Sequence, residues 1–182
     1  GVVAASDDHT CRPGLAYPST PEMTVLGGLA AQGVDLSLQS GSKYLSGHSD
    51  VMLGAVSCRT RALYERVKDA AGLLGEAASP DDCYLVHRGL RTLDVRLRRH
   101  QENAQRLMAW LAARGEVAKI LSPAWEGDPG HALWKRSFAG GSGLFAVAFK
   151  PSFQSKIAAF CEALSLFRIG SSWGGYESLA AP

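Results

Sequence analysis

Residues 40 to 50 read Ser40-Gly41-Ser42-Lys43-Tyr44-Leu45-Ser46-Gly47-His48-Ser49-Asp50 and follow an apolar, strand-like run, Val34 to Leu38. Two serine hydroxyls closely precede the lysine, and a glycine turn follows it. A lysine in this setting is suited to hold an aldehyde cofactor as a Schiff base while small hydroxyls bind a phosphate group. The stretch therefore predicts a lysine that binds pyridoxal 5'-phosphate (PLP). The alternative is an exposed lysine in a polar loop.

Three further blocks follow downstream in order. They are Val51-Met52-Leu53-Gly54 with Ser57-Cys58, then Arg88-Gly89-Leu90-Arg91-Thr92-Leu93, then Ser172-Trp173-Gly174-Gly175-Tyr176-Glu177-Ser178-Leu179. Together with the lysine block, they resemble the Cys/Met-metabolism PLP enzymes, the family of cystathionine lyases and synthases and of methionine gamma-lyase. The match extends from about Gln32 to Leu179. Within the family, Trp173 and the run His131-Ala132-Leu133-Trp134-Lys135-Arg136 are most similar to the bacterial cystathionine beta-lyases.

The resemblance implies an α/β fold, with part of a fold-type I PLP-dependent large domain followed by part of a smaller α+β C-terminal domain. We place the boundary so that residues 1–89 belong to the cofactor domain and residues 90–182 contain a long connecting helix and the small domain. The order of elements also changes at about this point from a parallel α/β pattern to an α+β pattern. Members of the family are longer than this chain, which is therefore interpreted as a central fragment.

The implied reaction is a carbon–sulfur beta-lyase reaction in methionine biosynthesis, which cleaves cystathionine to homocysteine, pyruvate and ammonia. The substrate would be a small sulfur amino acid, and the full-length enzyme would be a homo-oligomer, a tetramer. One alternative is gamma-chemistry, as in cystathionine gamma-synthase or methionine gamma-lyase, where leucine usually stands in place of Trp173. A second alternative is a truncated PLP-fold remnant, for which we expect little or no turnover by these 182 residues alone.

Lys43 is the candidate catalytic residue and binds the cofactor. Its amine would hold PLP and, once displaced by the substrate, would move a proton from the substrate Cα. By resemblance, Ser40 and Ser42 bind the cofactor phosphate, a role that suits short hydroxyls. Otherwise these two serines only satisfy the hydrogen bonds of a turn.

Three more candidates come from the resemblance. Asp8, in the run Asp8-His9-Thr10, would face the pyridine nitrogen of PLP and keep it protonated, although Asp7 could serve instead. His9 departs from the family, which has asparagine there, and the spacing to Lys43 is longer than usual. Ser172 and Trp173 resemble the residues that contact the substrate carboxylate.

The composition is that of an ordinary globular protein, with 46% hydrophobic residues, 20% charged residues and a net charge of +2. This charge gives no reason to expect a nucleic-acid partner. The four cysteines are widely spaced, which favours reduced thiols and predicts neither a metal site nor a disulfide scaffold. The apolar runs are too short for a bilayer and no signal peptide opens the chain, so a cytoplasmic location is expected.

Hydrophobic spacing predicts the remaining elements. Strands are expected at 1–5, 34–38, 52–58, 117–121, 143–149 and 166–169. Helices are expected at 59–76, from Ser79 onward, at 90–113 and at 153–164. Thr60 is a candidate N-cap, and Pro80 suits the first turn of the second helix.

Overall fold

The computed structural model describes Val2–Ala4 and residues 33–182. The chain divides into two compact units, Gly1–Asp94 and Val95–Pro182. The domain boundary between residues 89 and 90 stays a prediction. Across the described residues, no helix combines the length and the apolar character needed to cross a bilayer.

The first unit contains a three-stranded sheet made of β1 (Val2–Ala4), β2 (Leu36–Ser40) and β3 (Gly54–Cys58). β3 is the middle strand, parallel to β1 and antiparallel to β2. Ser40 at the end of β2 pairs with Gly54 at the start of β3. The segment between these two residues therefore leaves and re-enters the sheet at the same end. This segment carries Lys43. All three predicted strands are confirmed, and β2 and β3 each begin two residues later than expected.

Two capped helices follow the sheet. α1 (Arg61–Leu74) begins at Thr60, whose Oγ1 accepts a hydrogen bond from the Leu63 amide at 3.2 Å. α2 (Pro80–Leu90) begins at Ser79, whose Oγ accepts from the Asp82 amide at 3.0 Å. Each cap satisfies an amide that the first turn of a helix leaves without a partner. The N-cap predicted at Thr60 and the helix start predicted at Ser79 are confirmed.

α3 (Leu93–Ala112) is the long helix, and a short turn separates it from α2. The Thr92 hydroxyl donates to the Gly89 carbonyl at 3.2 Å, which satisfies one of the last carbonyls of α2. Leu93, directly after this turn, is fully buried. The long helix is confirmed, but it begins three residues later than its hydrophobic spacing suggests.

The second unit continues with short elements. They are β4 (Val117–Leu121), α4 (His131–Ser137), β5 (Ala146–Phe149), a 3-10 turn (Pro151–Lys156), α5 (Ile157–Glu162), β6 (Arg168–Ile169) and β7 (Leu179–Ala180). β4 pairs with β5 in antiparallel fashion, and β6 pairs with β7 in parallel. The predicted helix at 153–164 is thus a 3-10 turn that leads into a shorter α-helix.

The core of this unit lies between α3 and the β4–β5 pair. Ala104 and Met108 of α3 and Ile120 of β4 are buried together. Larger side chains pack around them: Leu111, Val117, Trp125, Phe145 and Val147. Burial of the apolar face of α3 against this sheet therefore stabilises the unit.

α3 also holds the loop that precedes β5. The Gly141 amide donates to the Gln101 Oε1 at 3.0 Å. A side chain at Gly143 would begin only 3.2 Å from the Nδ1 of His100, so the loop backbone lies close against this imidazole. Burial, and secondarily the positive charge of Arg96, lowers the pKa of His100.

We expect this half-buried imidazole to make the second unit less stable in acid. Because the pKa of His100 is lower in the folded protein, the unfolded chain binds a proton first as the pH falls below about 6.5. The free energy of unfolding should then decrease by at most about 1.4 kcal/mol per pH unit from this residue, and it should be unaffected well above that pH. Urea unfolding from about pH 5 to about pH 8, a range that brackets the ordinary pKa of histidine, measures the slope.

His100→Gln should remove this part of the slope, since glutamine does not titrate. Arg96→Gln should reduce the slope only partly, because burial is the larger cause of the shift. An unchanged pH dependence in His100→Gln would contradict the assignment to this imidazole.

Candidate cofactor site

Lys43 lies in a tight turn, Gly41–Leu45, that begins where β2 ends. The backbone at Lys43 is not helical (φ −102°, ψ −124°), so the chain bends sharply at this residue. The Ser46 amide donates to the Gly41 carbonyl at 3.0 Å, and the Gly47 amide donates to the Lys43 carbonyl at 2.9 Å. The left-handed conformation of Gly47 (φ 72°) then turns the chain away. The lysine, whose side chain is half-buried, therefore projects from a fixed backbone.

Ser42 and Ser40 precede the lysine in different environments. The Ser42 Oγ accepts from the Leu53 amide at 2.8 Å and lies 3.3 Å from the Leu53 carbonyl. Ser40 is exposed at the end of β2. To donate to a phosphate, the Ser42 hydroxyl would have to turn its proton away from the Leu53 carbonyl. The phosphate role of both serines stays a prediction.

A small hydrophobic cluster supports the turn from within the first unit. Val51, Leu53 and Val86 are buried together, and Leu45 of the turn packs against them. A side chain at Gly41 would begin 3.0 Å from the Leu53 carbonyl oxygen, so the turn lies directly on the segment that enters β3. The lysine is thereby positioned by apolar packing as well as by hydrogen bonds.

α2 also packs against the lysine turn. The sequence patterns did not predict this contact. Gly89 is buried where α2 meets the backbone of Leu45 and Ser46. Next to it, the Arg88 Nη2 lies 3.7 Å from the Asp50 Oδ2. The glycine itself was the available signal, because an isolated glycine inside a helical pattern usually has a packing reason.

Two other side chains of the first unit have structural roles. The Nδ1 of His48 lies 2.5 Å from the Ser46 carbonyl, which can only accept, so Nδ1 carries the proton. Burial raises the pKa of the Cys58 thiol on β3. Among the described residues, no group of three or more His, Cys, Asp or Glu could hold a metal ion.

The other candidates are placed differently. Asp8 and Asp7 lie outside the described residues. Ser172 and Trp173 belong to the second unit, in the connection between β6 and β7. Ser172 is exposed and Trp173 is 42% exposed, while Gly174 beside them is buried with φ 79°. The connection therefore presents the indole outward at a glycine turn, and its role toward substrate stays a prediction.

Comparison with known proteins identifies the family. The family described as "Cys/Met metabolism PLP-dependent enzyme" matches residues 25–182, most of the chain and the whole lysine turn. The chain belongs to this family. The predicted family and its cofactor, PLP, are thereby confirmed.

Relatives within the Cys/Met metabolism family support the same conclusion. The chain is 46% identical over 147 residues to a cystathionine beta-lyase of Salmonella typhimurium, covering 80% of this chain and 37% of the relative. It is 44% identical over 148 residues to the cystathionine beta-lyase MetC of Escherichia coli K12, covering 81% and 37%. The chain thus spans less than two fifths of the length of these relatives.

Solved structures confirm the fold class. A cystathionine gamma synthase from Xanthomonas oryzae pv. oryzae, solved in complex with aminoacrylate and cysteine, matches with a TM-score of 0.75 and 39% identity. The match covers 80% of this chain and 37% of that one. The predicted part of a fold-type I PLP-dependent enzyme is therefore confirmed, and the relatives include both beta- and gamma-acting enzymes.

Proposed function

We propose that Lys43 is the PLP-binding lysine and that the protein is a carbon–sulfur beta-lyase. The observation that carries this proposal is the position of Lys43. This half-buried residue lies in a bent, hydrogen-bonded turn at the end of β2, in a chain of a PLP-dependent family. A surface lysine of a polar loop would need neither the bend nor the packing beneath it.

The residues of the turn fit the chemical groups of PLP. A primary amine suits the aldehyde, and the hydroxyls of Ser40 and Ser42 are short donors suited to a phosphate. When bound, PLP supplies a ring that withdraws electrons from the substrate Cα. In this proposal Lys43 would supply the attachment point and the two serines the phosphate donors, while the proposed ring partner, Asp8, lies outside the described residues.

Each candidate residue then acts on the substrate or on the cofactor. The Lys43 amine holds the cofactor at rest and afterwards moves the proton at the substrate Cα, a transfer in which a positioned base is worth about 10²–10⁴ in rate. Ser172 and Trp173 would orient the substrate carboxylate. From the family resemblance we also propose that the full-length protein works as a homo-oligomer in the cytoplasm.

Cystathionine is the proposed substrate. Cleavage of its Cβ–S bond with one water gives homocysteine, pyruvate and ammonia. Trp173 and the similarity to two proteins named cystathionine beta-lyase favour this reaction. Gamma-chemistry is the second candidate, because the chain also matches the structure of a cystathionine gamma synthase. The two reactions differ in their keto acid, which is pyruvate for beta-cleavage and 2-oxobutyrate for gamma-cleavage.

Borohydride trapping followed by product analysis tests both parts of the proposal. The protein is incubated with PLP, reduced with borohydride, digested and mapped by mass spectrometry, and we expect the stable label on Lys43. With cystathionine, we expect the full-length protein to release a free thiol and pyruvate in equal amounts. A label on another lysine, or no label, would overturn the role of Lys43. A label on Lys43 with 2-oxobutyrate, or with no product, would overturn only the beta-lyase reaction.

A further inference from the structure

We propose that Gly89 is a positioning residue for Lys43. Because Gly89 has no side chain, the backbone of Leu45 and Ser46 can lie directly on α2, and this contact fixes the turn that carries the lysine. The inference rests on the proposed function, since it gives Gly89 a role only through the PLP-binding amine of Lys43.

The distances at Gly89 leave no room for a side chain. An ideal Cβ at this position would lie 2.5 Å from the Leu45 carbonyl oxygen and 2.7 Å from the Ser46 carbonyl carbon. It would come closer still to the Ser46 carbonyl oxygen. All three are backbone atoms, so no change of side-chain rotamer could relieve the overlap. A residue with a Cβ would therefore force the turn and α2 apart.

Glycine is not required at this position by the conformation of the helix. Gly89 lies within α2 and is not among the residues with positive φ, and the C-cap that follows, Arg91, has an ordinary φ of −65°. Glycine in a helix destabilises it relative to alanine. Close approach of another backbone is therefore the physical reason for glycine here.

A displacement at Ser46 would reach Lys43 through a few hydrogen bonds. The Ser46 amide donates to the Gly41 carbonyl, and the Ser46 Oγ lies 3.4 Å from the Lys43 carbonyl. Ser46 is itself almost completely buried. These hydrogen bonds make the turn rigid. A displacement of Ser46, which touches α2, would therefore also displace Lys43.

α2 is held in place at several points along its length. Val86, one turn before Gly89, is buried in the cluster beneath the lysine turn, and Ser79 caps the start of the helix. The Thr92 hydroxyl donates to the Gly89 carbonyl at its end. We therefore expect a Cβ at position 89 to displace the lysine turn more than it displaces the helix.

Gly89→Ala tests this role, and Gly72→Ala is its matched control. Gly72 is also inside a helix, α1, but a Cβ there would meet nothing within 4 Å. In Gly89→Ala we expect PLP to dissociate at least about tenfold more readily, in line with the usual cost of overpacking. We also expect less borohydride-trapped label on Lys43 and a shifted visible absorption of the bound cofactor. Gly72→Ala should keep the affinity, the label and the absorption of the wild type.

A wild-type measurement covers the case in which Gly89→Ala fails to fold. If the lysine turn and α2 are mechanically coupled at Gly89, attaching PLP to Lys43 should slow amide hydrogen exchange in residues 43–47 and also around Gly89. Exchange around Gly72 should not change. Unchanged exchange around Gly89 would overturn the inference, and so would a folded Gly89→Ala variant with wild-type affinity, label and absorption. Loss of PLP from both glycine variants would overturn it too. Failure of the wild type to label Lys43 would instead overturn the proposed function.

Discussion

Lys43→Ala is expected to eliminate the borohydride-stable PLP label and to slow exchange of the substrate Cα proton by about 10²–10⁴-fold. The substitution removes the amine that is proposed to form the covalent bond to the cofactor and to move the proton. Exchange is followed by NMR in deuterated water with PLP and an amino-acid substrate, so the readout does not require carbon–sulfur cleavage. It therefore separates proton transfer from the choice between beta- and gamma-chemistry.

Two controls make the result specific to position 43. Lys119→Ala removes an exposed lysine on β4 and should leave both the label and the exchange rate unchanged. Adding a small primary amine to Lys43→Ala should restore part of the exchange, because a free amine can occupy the vacated space and take the proton. Undiminished labelling of Lys43→Ala, or equal losses in both variants, would contradict the proposed role.

The lysine turn could be predicted from the sequence because its signal is local. An apolar run, two hydroxyls, a lysine and a glycine turn lie within a few positions of one another, and local spacing is what a sequence shows most directly. The capped helix starts at Thr60 and Ser79 were predictable for the same reason. Each involves a hydrogen bond to an amide three residues away.

The supports of the turn could not be predicted in the same way, because they come from distant parts of the chain. The hydrogen bonds between Ser42 and Leu53 depend on how β2 pairs with β3. The approach of Ser46 to Gly89 depends on where α2 packs. Hydrophobic spacing also misplaced the start of α3, because the turn that ends α2 is set by the Thr92 hydroxyl and the burial of Leu93. Hydrophobic periodicity therefore predicted which helices and strands form, whereas tertiary packing determined the residues at which they begin and end.

Met108→Ala is expected to reduce the free energy of unfolding of the second unit by about 2–5 kcal/mol. Met108 is only 2% exposed and lies between Ala104 and Ile120, where α3 meets the β4–β5 pair. Truncation removes apolar contacts and leaves a cavity, which the surrounding larger side chains can fill only in part. Urea unfolding followed by circular dichroism should show a lower midpoint with an unchanged slope.

Met108→Leu is the matched control, because leucine conserves most of the apolar volume and should cost less than about 1.5 kcal/mol. The contrast between the two variants isolates cavity formation from the loss of the flexible thioether. Similar losses in both would mean that the shape of methionine, rather than its volume, is what the core requires. A loss below about 1 kcal/mol in Met108→Ala would contradict the central place of Met108 in this core, since substitutions away from such features usually have effects of that size or smaller.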